Sequence, residues 1–184
     1  MGSYYIQGNT NLRPETGDTL SIGVNKDFGK AGVVKVSAFS SHLKDAIVTA
    51  WDTTQVNTMS FFNVQTQDKK GIELEYTHPL SDKFKVTTGY AFVKVDNNGF
   101  VTDAMRTQEP NTYRLGLSYD CNPWNVELSG RGASGRNTKY FTESDYWIWD
   151  LAVNYKFAKD KKIFVAVNNL TDEAYEIYGA SSSA

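Results

Sequence analysis

Cysteine is almost missing from this sequence. One residue, Cys121, in a chain of 184 excludes an internal disulfide framework and a cysteine zinc site. Histidine is nearly as scarce: His42 and His78 stand singly and read as ordinary polar positions. No stretch approaches the roughly 18 consecutive apolar residues of a membrane-spanning helix. GxSxG, HExxH and phosphate-loop patterns are missing too, and no histidine falls in the main loops, so no enzyme and no cofactor is expected. Neither sign of charge dominates: 19 basic against 21 acidic residues give a net charge of −2 and exclude the basic footprint of a nucleic-acid partner. The opening "MGSYYIQGN" has neither a charged n-region nor an apolar h-region, so no export signal is expected at this end. Either the protein stays inside the cell or its front end is missing. The length fits one domain or one piece of a larger one.

What the chain has instead is alternation. Leu20, Ile22 and Val24 share one phase, as do Val34, Val36 and Ala38. "FFNVQTQDKKGIELEY" reads as one long strand with Phe62, Val64, Thr66, Ile72, Leu74 and Tyr76 in phase. The same period of two runs through "KFKVTTGYAF", "YRLGLSY", "WNVELSGR", "WIWDLAVNYKF" and "IFVAV". Eight amphipathic strands, with no helical period of comparable length, predict an all-β chain.

The links between strands carry more information than the strands. Short ones at 29–32, 79–82, 121–123 and 158–162 alternate with long ones at 50–59, 97–109 and 135–144. In an antiparallel up-and-down meander every second link falls on the same rim, so one rim is trimmed and the other elaborated. A soluble sandwich shares the alternation. Three features favour a partial transmembrane β-barrel over it: strands long enough for a tilted span of about 9–11 residues, aromatics at strand ends, and the asymmetric rims. A lysine or arginine facing lipid at mid-depth costs about 2–4 kcal/mol. The mid-strand charges should therefore share an inward, lumen-lining face: Lys35, Lys85, Arg114, Arg131 and Lys156 against Glu73, Glu75, Glu127 and Asp150. Glu73 and Glu75 could instead form a carboxylate pair for metal or acid/base work, but no histidine or cysteine stands beside them, and no metal site is expected. "NLT" at Asn169 matches a glycosylation sequon and reads better as part of a side-chain-bonded turn with Asn168 and Asp172.

Several motifs now align with a known family. "GNTNLRPETGDTLSIGV" resembles the "GNPxLKPExSxxxExG" segment of TonB-dependent outer-membrane receptors. "VSAFSSHLKDAI" resembles their "sxFxxxixdxI" strand, and "FFNVQTQDKKGIELE" their "N…KGxExe" strand. "DLAVNYKF" and "FVAVNNLTDEAYE" resemble the near-terminal "NNLfDxxYe" signature. The four occur in family order from about Gly8 to Tyr178.

The resemblance implies a C-terminal segment, residues 1–184, of a plugged barrel of about 22 strands. Such receptors sit in the bacterial outer membrane and bind and import a scarce ligand such as a ferric siderophore or haem. Outer-membrane lipid and that ligand are the implied partners; the TonB complex would be met only through an N-terminal plug. No plug or TonB box is expected within this chain, and "ASSSA" stands where the family adds a closing strand. The eight strands would then form an open curved sheet or a small closed barrel, with 1–16 and 179–184 as irregular ends. Gly23, Gly89 and Gly116 at inward positions would not fill a narrow lumen, which favours the open sheet. Ligand contacts are expected in the long loops. Exposed aromatics Trp51, Phe61, Phe100, Tyr140 and Phe141 are candidates there, with Arg106 and Arg136 for an anionic siderophore or haem propionate. The alternative is a soluble β-sheet binding module with no transport role.

Overall fold

A computed structural model of the chain describes residues 4–63, 66–96 and 108–179. Eight of its strands form one antiparallel meander: β2 (Thr16–Asp27), β3 (Val33–Lys44), β6 (Thr66–Pro79), β7 (Phe84–Asp96), β8 (Asn111–Cys121), β9 (Trp124–Ser134), β10 (Tyr146–Ala158) and β11 (Lys161–Val167). These are the eight segments that alternation selects. They follow chain order across the sheet, and no ladder joins β2 to β11, so the described sheet is open at both edges.

The short links are closed by local chemistry. Gly29 and Gly32 adopt φ of 62° and 95°, a region costly for a side chain, and the Asp27 carboxylate accepts the Gly29 N–H at 2.7 Å. Tyr76 reaches across from β6 to donate its hydroxyl to Ala31 O at 2.6 Å. In the next short link the Ser81 hydroxyl accepts the N–H groups of Lys83 and Phe84. Tight turns of this kind fix the register, and the register fixes which side chains share a face.

The two faces differ sharply. On one lie Leu20, Ile22, Val24, Val36, Ile72, Leu74, Leu117 and Val165, between 37% and 76% exposed. Among the described residues no second layer covers them. The buried apolar cluster, Ala46 and Val48 with Leu43 against it, lies at one rim and not beneath the sheet. Leu115, Val126, Trp149 and Val165 therefore do not gather into a waterborne core. Aromatic pairs bound the apolar face at both ends. Phe84–Tyr119 and Trp124–Tyr155, with centroids 4.7 and 4.4 Å apart, stand near the short links. Tyr90–Tyr113 and Trp147–Trp149, at 5.5 and 5.8 Å, lie toward the long ones. Gly132 leaves room for the Trp147 indole to lie against β9.

Three further strands form a small sheet at the long-link rim, in the order β1-β5-β4: β1 (Tyr5–Gln7) runs parallel to β5 (Thr58–Asn63), which pairs antiparallel with β4 (Ile47–Trp51). Two sequence expectations are corrected here. The region 1–16 is not wholly irregular, because it contains β1. The stretch from Phe61 to Tyr76 is not one strand, because β5 belongs to the rim sheet and β6 to the wall. Asn63 explains the break. Its amide donates to Arg13 O at 2.9 Å and Asp45 O at 2.6 Å, and its oxygen accepts the Arg13 N–H at 2.8 Å. Those bonds hold β5 against the rim, and Asp45 turns the chain there with φ of 53°.

Leu115→Lys should destabilise the chain in phospholipid vesicles by about 2–4 kcal/mol. Ser118→Lys, three residues on but on the other face and between Lys85 and Glu127 in register, should change stability by less than about 1 kcal/mol, since the like and unlike charges offset. Urea titration of folding into vesicles separates the two. Equal losses would refute the assignment of faces.

Candidate functional site

The polar face is concave. Two clefts open on it. One, of about 450 Å³, is lined by Lys35, Glu73, Glu75, Gly89 and Arg114 among others. The second, of about 710 Å³, includes Lys85, Arg114, Gly116, Glu127, Ser129, Arg131 and Asp150. Glu73, Glu75, Arg114, Glu127, Arg131 and Asp150 thus all line the hollow. Lys35 and Glu75 are register partners and meet at 2.8 Å. The inward charges are otherwise sparsely paired: among the described residues the remaining ion pairs are Arg13–Asp45 and His42–Asp68, neither of which lies on this face. Glu73 accepts only a long 3.5 Å bond from the Ser37 hydroxyl. Among the described residues no cluster of metal-ligating side chains forms.

At the long-link rim the loop at 135–145 and the segment after β11 are bound together. Arg136 is 3% exposed. Its guanidinium donates to Glu176 O and Glu143 O, each at 2.8 Å, and lies 4.5 Å from the Phe141 ring centre and 4.7 Å from that of Tyr146. Two carbonyls and two ring faces offset the cost of burying this cation. The Glu176 carboxylate accepts the Thr142 N–H at 2.7 Å and its hydroxyl at 2.9 Å. Tyr175 stacks on Tyr146 at 5.1 Å and accepts a hydrogen bond from Arg131 at 3.1 Å. Asp150 anchors the start of this strap by accepting the Asn169 N–H at 2.8 Å. Asn169 closes the following turn through Glu173, with bonds of 2.9 Å in both directions. Ile148, on the concave side, is fully buried.

The sequence-predicted loop candidates therefore separate. Trp51 is 48% exposed at the end of β4, its ring edge-on to Tyr4 at 6.0 Å. Phe61 is half-buried in β5. Tyr140 and Phe141 are buried, at 9% and 2% exposure, so the expectation that they stand exposed is corrected. The reason is the strap, which packs against their loop. Phe100 and Arg106 lie outside the described residues. Tyr146, Tyr175 and Glu176 were missed as rim residues. The "YE" of "NNLTDEAYE" is the one signal that could have drawn attention to the last two.

Thr142 donates twice to Glu176, and Arg136 adds a favourable charge, so this carboxyl is held below the usual glutamate range. A depressed carboxyl stabilises the docked loop above the unfolded value and loses that contribution as pH falls through the folded one. Hydrogen-exchange protection of the Thr142 amide should hold at neutral pH and collapse on acidification below about pH 4. In Glu176→Gln it should be weak already at neutral pH and lack the acid step. An acid step of wild-type size in that variant would refute the latch.

A family model for the TonB dependent receptor-like β-barrel matches residues 1–170. Solved structures share the fold at low identity. The siderophore receptor PirA from Pseudomonas aeruginosa is 20% identical, with a TM-score of 0.73, covering 94% of this chain and 30% of its own. The copper transporter OprC is 18% identical, with a TM-score of 0.74, covering 92% and 28%. The FrpB iron transporter from Neisseria meningitidis is 18% identical, with a TM-score of 0.70, covering 97% and 30%. The chain thus spans under a third of the length of these proteins. With the family model matching nearly its whole length, the chain belongs to the TonB-dependent receptor-like β-barrel family.

Proposed function

We propose that this chain is a C-terminal part of the barrel wall of an outer-membrane transporter that binds and imports a scarce ligand, such as a ferric siderophore or haem. The observation that carries this reading is the uncovered apolar face with aromatics at both ends, set back to back with a polar hollow. Hydrocarbon suits the first and water the second. A soluble binding module would have to bury the apolar face under a second layer, and nothing in the described residues favours that alternative. The mechanism is recognition and gated passage, without covalent chemistry. TonB would act through a plug carried elsewhere in the complete receptor.

On this reading Trp51 contacts ligand, together with Phe100 and Arg106 of the neighbouring long link. Arg136, Tyr140 and Phe141 give the rim its shape and do not themselves reach the ligand. Deleting the gene should abolish uptake of at least one radiolabelled iron chelate in metal-starved cells, and unchanged uptake of every siderophore and of haem would reject the proposal. Within the complete receptor, Trp51→Ala should weaken ligand binding by about 1–2 kcal/mol, or roughly tenfold, as truncating an exposed aromatic anchor does. Fluorescence titration with the transported chelate measures it.

A further inference from the structure

We propose that Ser40, Lys70 and Lys94 bind the phosphate of a membrane lipid where the apolar face ends, on the side of the long links. The proposal rests on the reading of that face as turned toward hydrocarbon. The three residues are successive register partners on β3, β6 and β7. One row nearer the short links come Ala38, Ile72 and Phe92, and the row after that is Val36, Leu74 and Tyr90. Alternation puts all three rows on the apolar side. The surface thus changes from aliphatic and aromatic groups to a hydroxyl and two ammonium groups within one step of the ladder.

The depth of that step fits a bilayer. Phe84 stands at the aromatic border near the short links, and Lys94 lies ten residues further along the same strand. At strand rise that is about 33 Å, and a tilt near 40° leaves about 25 Å along the membrane normal, the height of a barrel's apolar band. Ser40 and both lysines are exposed. Neither lysine joins an ion pair among the described residues. Like charges directly opposite each other destabilise a sheet, and an anion between them removes that cost. The nearest described acids on this face, Asp68 and Asp96, stand one row further out, about 7 Å along the strands. Asp68 is already joined to His42 at 2.7 Å.

What meets this row in a bilayer is a headgroup. Ile72 and Leu74, each nearly half exposed, take acyl chains directly below the lysines. A phosphate on the same molecule then reaches the donor row. A lysine ammonium is a point charge with three donors, and it serves a phosphate oxygen without any fixed planar geometry. A free phosphate would gain the ammonium groups alone, in competition with water, whereas a lipid adds the burial of its chains on the apolar rows. The site is local. On β8 and β10 the same border is aromatic, with Tyr113 and Trp147 at 6.3 Å and no cation beside them on that side.

The test uses the full chain folded in maltoside micelles, followed by native mass spectrometry as dioleoyl phosphatidic acid, dioleoylglycerol or glycerol phosphate is added. One phosphatidic acid should bind saturably, at least tenfold more tightly than dioleoylglycerol, and glycerol phosphate should not bind measurably. Lys70→Gln with Lys94→Gln should erase that preference while dioleoylglycerol binding stays as in the wild type; each single variant should lose part of it. Lys69→Gln, one residue away but turned to the hollow, should keep the preference whole. Equal binding of the two lipids to the wild type, a preference that survives the double variant, or one lost in Lys69→Gln would each overturn the proposal. Glycerol phosphate bound as tightly as the lipid would overturn it too. Circular dichroism of every variant checks that the sheet persists. A chain that folds in micelles yet ignores the phosphate defeats this site alone, and one that folds equally in buffer without detergent defeats the reading of the apolar face as well.

Discussion

A sheet one strand thick has no inside. Every side chain that leaves its backbone enters one of two surroundings, and strand geometry assigns them in strict alternation. The rest of this structure depends on that restriction. Once Leu20, Ile22 and Val24 take one side, Gly23 and Asn25 must take the other, and the ladder from β2 to β11 carries the same choice across every strand. Charges can then be placed mid-strand without meeting hydrocarbon. They can also be left unbalanced wherever solvent reaches them, because water screens what the wall does not pair.

The rim obeys different rules. Its side chains lie against loops, where no period applies, and individual polar contacts join small apolar clusters in holding it. Arg136 is buried by two carbonyls and two aromatic rings, and Asn63 ties β5 to two other segments, at Arg13 and at Asp45. Such contacts give a loop a definite shape around only small apolar clusters, such as Ala46 and Val48.

Much of the wall was legible in the sequence because alternation is a local signal. The eight wall strands and the shared polar face of Glu73, Glu75, Arg114, Glu127, Arg131 and Asp150 follow from a period of two. The rim was not legible in that way. The phase of Phe62 continues unbroken into Thr66 and Ile72, so period alone hid the change of sheet between β5 and β6. Burial of Tyr140 and Phe141 depends on a strap whose contacts with their loop span 34 and 40 residues of chain, and no spacing within their own loop announces it. Nor did balanced composition reveal that Arg114 faces Arg131, since pairing is set by register and counting charges ignores it.

The parallel pairing of β1 with β5 ties two stretches about fifty residues apart in the chain. Gln7 O receives the Ser60 hydroxyl at 3.1 Å, and the Asn9 amide donates to Phe61 O at 2.8 Å. Neither stretch is then free to drift alone. As the outer surface diversifies among descendants, Tyr5–Gln7 and Thr58–Ser60 should be inherited as one block, exchanged together or kept together.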